Sequence, residues 1–187
     1  MPAGQRSDAR RNHARILAVA AEEVAARGAD ASLERIARTA GVGSATVRRH
    51  FPTRRALLEA VSHDRIDDLR RRAAELTGAP DGRAALLEWL GEVLAYSTDV
   101  RGLAAALSYA DAAEPVQGNS CAALLEGAGA PLLARAVREG AVRAEIDLAD
   151  LITLVVGIVL AVEHRADAAA EAERLFRLAV TGLAPQR

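Results

Sequence analysis

The chain has 187 residues, 51% hydrophobic but only 3% aromatic; this is enough for one or two small domains with a buried core, and its Ala- and Leu-rich composition favours an all-helical fold. A single cysteine excludes an internal disulfide and a cysteine-based zinc site, and no stretch reaches the roughly 18–20 uninterrupted apolar residues of a membrane span. The net charge of −1 hides a split: residues 1–55 carry eleven arginines and five acids, whereas residues 56–187 carry thirteen arginines and twenty acids. A basic end on an acidic body points to a nucleic-acid-binding end.

In chain order, the N-terminal MPAGQRSDARRNHAR is charged and lacks the apolar core of a signal peptide, so a cytoplasmic protein is expected. Ile16, Leu17, Ala20 and Val24 recur at three- and four-residue steps, which predicts an amphipathic helix from Asp8 to Arg27, ended by Gly28. Ser32 stands as the N-cap of a short helix with Leu33, Ile36, Ala37 and Ala40 on one face. Gly41 interrupts it, a tight turn follows, and a second short helix runs from about Ser44 to Phe51, where Pro52 stops it. Two short helices across a glycine-containing turn form the helix-turn-helix pattern.

Thr53 caps a long helix reaching to about Leu76, and TGAPDG (77–82) breaks it. Helices are expected over about Arg83–Thr98 and Val100–Ala110. Ala122–Glu139 is helical too, with Gly127, Gly129 and Pro131 expected to kink or divide it. An apolar helix over about Leu148–Arg165 and a last one over Ala168–Thr181 complete about nine helices. This gives a three-helix head with the basic, nucleic-acid-binding end over residues 1–55 and, through a linking helix, a five-helix body, residues 56–187 in all.

On a helical wheel of about 100° per residue, Val47 and Phe51 share one side of the second short helix. Arg49 points the opposite way between Ala45 and Thr46, with Arg48 and His50 at the margins. Three neighbouring basic residues alone describe any solvated face. Here they follow small residues that permit close approach to a major groove, where Arg can bond guanine O6 and N7 together. Helix margins lie nearest the phosphates, and Arg54 and Arg55 open the next helix, whose N-terminus itself favours an anion.

The stretch SLERIARTAGVGSATVRRHFPTRRALLEAV resembles the helix-turn-helix signature of TetR-family transcriptional regulators, the match covering about residues 8–62. The resemblance implies a homodimer on a palindromic operator, with an unknown small-molecule effector held in each body. By position, it carries DNA contact to Glu34, Arg35, Ser44, Ala45, Thr46, Arg48, Arg49, His50 and Arg54; Ser32, Gly43 and Arg55 complete the expected DNA-binding set. One departure stands out, because Arg48 occupies the family's usual tyrosine position and exchanges a ring and hydroxyl for a charged fork.

In the body, the helix Leu148–Val162 is apolar nearly all round, so both faces should be covered. Leu151, Leu154, Val155, Ile158, Val159 and Val162, with Leu175, Phe176, Leu178 and Val180 of the last helix, are the expected dimer interface; burial within one subunit is the alternative. Trp89, Tyr96 and Tyr109 are candidates for lining an effector cavity, although each also fits an ordinary core. No cofactor or metal is expected. The four histidines are scattered, and neither a His-Glu-x-x-His motif, a phosphate-cradling glycine loop nor a Gly-x-Ser-x-Gly elbow is present, which argues against an enzyme. The remaining alternative is an architectural DNA-binding protein without an effector. Repressor action is the reading adopted.

Overall fold

The structure, a computed structural model, describes residues 3–100, 104 and 121–181, with side chains from residue 11 onward except those of residues 29 and 54. Every regular element among these residues is helical: α1 (Ala3–Arg27), a 3-10 turn (Gly28–Asp30), α2 (Leu33–Thr39), α3 (Ser44–His50), α4 (Arg54–Leu76), α5 (Gly82–Asp99), α6 (Cys121–Arg138), α7 (Leu148–Val162) and α8 (Ala168–Thr181). The all-helical fold read from the sequence is therefore found, while almost all of the helix expected over Val100–Ala110 lies outside the described residues. No helix among the described residues is long and apolar enough to cross a membrane.

Contacts divide the chain into two compact units, Met1–Ser62 and His63–Arg187. In the first, α1 buries Ile16, Ala20 and Val24, one stripe of a helix. Gly28 adopts φ +58°, closing α1 and turning the chain into the 3-10 segment. Ser32 caps α2, its Oγ accepting from the Arg35 N–H at 3.3 Å. At the far end of α2 the Gly41 N–H bonds the Arg38 carbonyl and the Val42 N–H bonds the Ala37 carbonyl, with Gly41 at φ +63°. That is a left-handed helix stop with both trailing carbonyls satisfied, a backbone conformation glycine adopts without penalty. The turn then delivers α3 with Val47 and the following Phe51 fully buried. Thr53 caps α4 through the Ala56 N–H at 3.0 Å.

In the second unit α5 is the central helix and packs against α6, α7 and α8. Asp81 and Asp147 cap α5 and α7, accepting from the N–H groups of Ala84 and Asp150. The sequence leads one to expect a break in the helix containing Pro131, yet α6 runs through it unbroken. The residue whose carbonyl the proline ring would crowd and leave unbonded is Gly127, four positions earlier, which is exposed to solvent. Three carboxylates converge on Arg72 of α4: Glu92 at 3.0 Å, Glu75 at 3.1 Å, and Glu88. Hydrogen bonding to Glu92, then to Glu75 and Glu88, holds its guanidinium above arginine's usual range, and the cluster ties α4 to α5.

Candidate nucleic-acid interface

Helix α3 is anchored by its inward side chains, so its remaining positions are set rather than free. With Val47 at 0% exposure, Ser44, Ala45, Arg48 and Arg49 are exposed and His50 is half-buried; Thr46, placed beside Arg49 on the outward side by the wheel, is half-buried, and Arg48, placed at the margin, is exposed. Gly43 precedes α3 in extended conformation without a side-chain cap. The first turn of the helix therefore presents small residues only.

The charges on this face are not all free. Arg49 makes no ion pair among the described residues, whereas Arg48 donates from Nη2 to Glu34 Oε1 at 2.6 Å. The sequence reading left both guanidinium groups unengaged; for Arg48 the structure shows otherwise. The two residues lie 14 apart, so no helical spacing announces the contact, which exists only because α2 and α3 cross. Arg35 is likewise engaged: its Nε donates to Glu23 Oε1 at 2.8 Å, which also accepts from Arg27 at 3.1 Å and from the Ser32 N–H at 3.2 Å. Arg55 pairs with Glu59 one turn along α4 at 3.0 Å. Arg54 opens α4, its side chain being outside the described set. The Arg48–Glu34 pair, 60% and 57% exposed, is of the kind that contributes little to stability.

Glu34 sits below the usual carboxylate range, chiefly through its own backbone N–H in the first turn of α2 and then through Arg48. His50 is pushed below the ordinary histidine range, first by burial and then by His13 and Arg49. The His13 and His50 rings lie 5.0 Å apart, with Phe51 behind His13 at 6.1 Å. At neutral pH His50 is thus a neutral hydrogen-bonding group on the flank of two arginines. The part of His13 was missed because its contact joins α1 to α3 across 37 residues.

The body candidates are distributed differently from the sequence expectation. Trp89 is fully buried and its indole N–H donates to the Leu69 carbonyl at 3.0 Å. Tyr96 is half-buried with the Arg65 guanidinium 5.8 Å from its ring centre, and Tyr109 lies outside the described residues. A cleft of about 830 Å³ between α4 and α6 is walled by Ala74, Ala123, Leu124, Gly127, Ala128 and Pro131 and rimmed by Asp67, Arg70, Arg71 and Thr77; among its described lining residues are neither Trp89 nor Tyr96. Of the residues expected at a dimer interface, Leu151, Val155, Ile158, Val159, Val162, Phe176 and Val180 are buried in the subunit's own core, Leu154 and Leu175 are half-buried, and Leu178 is exposed. An all-round apolar helix gives no sign of which side faces inward. The exposed residues of α7 are Asp150, Thr153, Gly157, Leu160 and Ala161, and on α8 Leu178 stands 60% exposed.

Comparison with known proteins agrees with this layout. Residues 16–61 match the sequence profile of bacterial regulatory proteins of the tetR family, and residues 81–185 that of the C-terminal domain of SbtR-like transcriptional regulators. No curated protein matches significantly. Among solved structures, the chain is similar to the TetR transcriptional regulator SCO0520 from Streptomyces coelicolor, at 36% identity over 92% of this chain and 98% of that one, with a TM-score of 0.59. It is also similar to a TetR regulatory protein from Mycobacterium vanbaalenii, at 34% identity over 97% and 99% of the two chains and a TM-score of 0.51. FadR from Bacillus subtilis, solved in complex with stearoyl-CoA, shares the fold at 15% identity over 91% and 98%, with a TM-score of 0.55. A capped α2, a glycine-stopped turn, an α3 anchored by Val47 and Phe51, and sequence profiles spanning head and body all converge: the chain belongs to the TetR family of transcriptional regulators.

Proposed function

We propose that the protein is a ligand-responsive repressor that binds a palindromic DNA operator as a homodimer. Residues 1–55 form the DNA-binding part and residues 56–187 the effector-binding and dimerisation part. In this reading α3 enters the major groove with Ser44 and Ala45 allowing close approach, Arg49 reading a base edge, and Thr46, His50, Arg54 and Arg55 holding phosphates. The observation that carries it is Arg49: exposed and without an ion pair among the described residues, it points outward from a helix whose opposite side is sealed in the core.

The exposed apolar residues Leu160 and Leu178, on helices whose inward faces already fill the core, support a second copy of this chain as dimer partner. The contact then runs along Thr153, Gly157, Leu160 and Ala161 of α7 and Leu178 of α8, with Leu154 and Leu175 at its margin. FadR's stearoyl-CoA supports a small-molecule effector for a body of this architecture. Tyr96 remains a candidate wall residue, whereas Trp89 already commits its N–H to Leu69. The helix α4 belongs partly to each unit, so an effector that shifts its body end changes the placement of the head on half-sites about 34–36 Å apart.

The test is Arg49→Ala against a duplex selected from a random library with the wild-type protein. Binding should weaken by about 1–3 kcal/mol and tolerance at one base position should broaden, as fluorescence anisotropy with single-base variants would record. Equal affinity of wild type and variant for the selected and scrambled duplexes would remove base reading from the account.

A further inference from the structure

Two adjacent arginines on α3 begin from different states. Arg49 carries its charge into solvent, while Arg48, 60% exposed, is held by Glu34, 57% exposed, through a 2.6 Å contact across the turn. The carboxylate is oriented from both sides, since the Ser32 hydroxyl lies 3.4 Å from Oε2 and Arg48 occupies Oε1. Ser32 is itself fixed, because its Oγ caps α2 and its N–H donates to Glu23. The acceptor for Arg48 is thus built on the helix terminus and does not wander with a flexible loop.

We propose that Glu34 is a positioning residue that sets DNA specificity through Arg48: it neutralises the guanidinium on any ordinary duplex and yields it only where the groove offers a better acceptor. The proposal rests on the DNA-binding reading above. A phosphate attracts Arg48 but must approach an uncompensated carboxylate once the pair opens, so a non-specific site gains little from this arginine. A guanine presents O6 and N7 to a fork in parallel, a geometry that a monodentate carboxylate contact does not match. The released Glu34 carboxylate in turn can accept from a cytosine N4 amine, so the pair as a whole favours a G·C step. Glu34 therefore costs affinity everywhere and least at the right sequence, which is how a repulsive element produces discrimination.

Full-length wild type, Glu34→Gln, Arg48→Ala and the double variant are titrated by anisotropy against the selected duplex and a scrambled duplex of equal composition, over a salt series. Both side chains are exposed, and thermal melting confirms that each variant folds. Glu34→Gln is expected to tighten scrambled binding and reduce the ratio between the two duplexes by about tenfold, the scale of one bidentate base contact. Its log K against log salt slope for the scrambled duplex should steepen by about 0.9, one further phosphate contact. In the Arg48→Ala background both effects should vanish. If Glu34→Gln has the same effect with and without Arg48, the carboxylate acts only as a distant negative charge and the proposal falls. If the wild type prefers no duplex at all, the DNA-binding reading falls with it, so the two failures are distinguishable.

Discussion

Trp89→Ala is expected to lower the unfolding free energy by about 3–5 kcal/mol, the largest single-residue effect in the body. The indole is completely enclosed, and its neighbours on α4, α6 and α7 belong to the same core. Truncation removes the apolar surface, opens a cavity that the rigid helices around it collapse into only partly, and deletes the N–H bond to Leu69. Because Trp89 is the chain's only tryptophan, its fluorescence disappears with it, and the comparison needs urea unfolding followed by far-ultraviolet circular dichroism. A loss below about 1 kcal/mol would mean that the ring is not packed as described.

Gly129→Ala is expected to destabilise by about 1–3 kcal/mol, although alanine is the better helix former by about 1 kcal/mol. A Cβ at this position would stand 2.6 Å from Trp89 Cη2, closer still to Cζ3, and 2.8 Å from Leu148 Cδ2. The Trp89 ring is rigid and fully enclosed and the Leu148 methyl is buried with it, so the helix, the ring or the leucine must shift. Gly127, one half-turn away and exposed, has nothing within 4 Å of its would-be Cβ and serves as the control. There the same substitution should stabilise by about 0.5–1 kcal/mol through helix propensity alone. The clash has a single main author, so the pair of substitutions should couple: Trp89→Ala with Gly129→Ala should cost less than the sum of the two. Additive losses in urea would contradict the contact.

These residues also mark where sequence reasoning succeeds and stops. The head was legible because its signals are local: a Ser32 cap, a left-handed Gly41, an apolar pair at Val47 and Phe51, and Pro52 immediately after. Each depends on neighbours within one or two turns. The Arg48–Glu34 and Arg35–Glu23 pairs were not legible, since they form between helices and follow from a crossing geometry that no periodicity encodes. The same reason hid the seating of Trp89 against Gly129, which lie 40 residues apart. In α7 the limit is different. Its apolar residues cover every side, so the pattern shows that the helix is enclosed but gives no direction, and only the fold distinguishes buried Val155 and Val159 from exposed Gly157 and Leu160. Pro131 misled because a proline's cost depends on what its missing hydrogen bond leaves exposed, not on the proline alone.

The central claim is that the outward face of α3 reads base edges in the major groove. Replacing guanines of the selected duplex one at a time by 7-deazaguanine removes only the N7 acceptor on that side and leaves pairing and backbone charge intact. Wild-type protein should lose affinity at a guanine in each half-site by about 1–3 kcal/mol, and Arg49→Ala should be indifferent to the same replacement. Affinity unchanged at every guanine, with wild type and variant equally tolerant, would contradict the account.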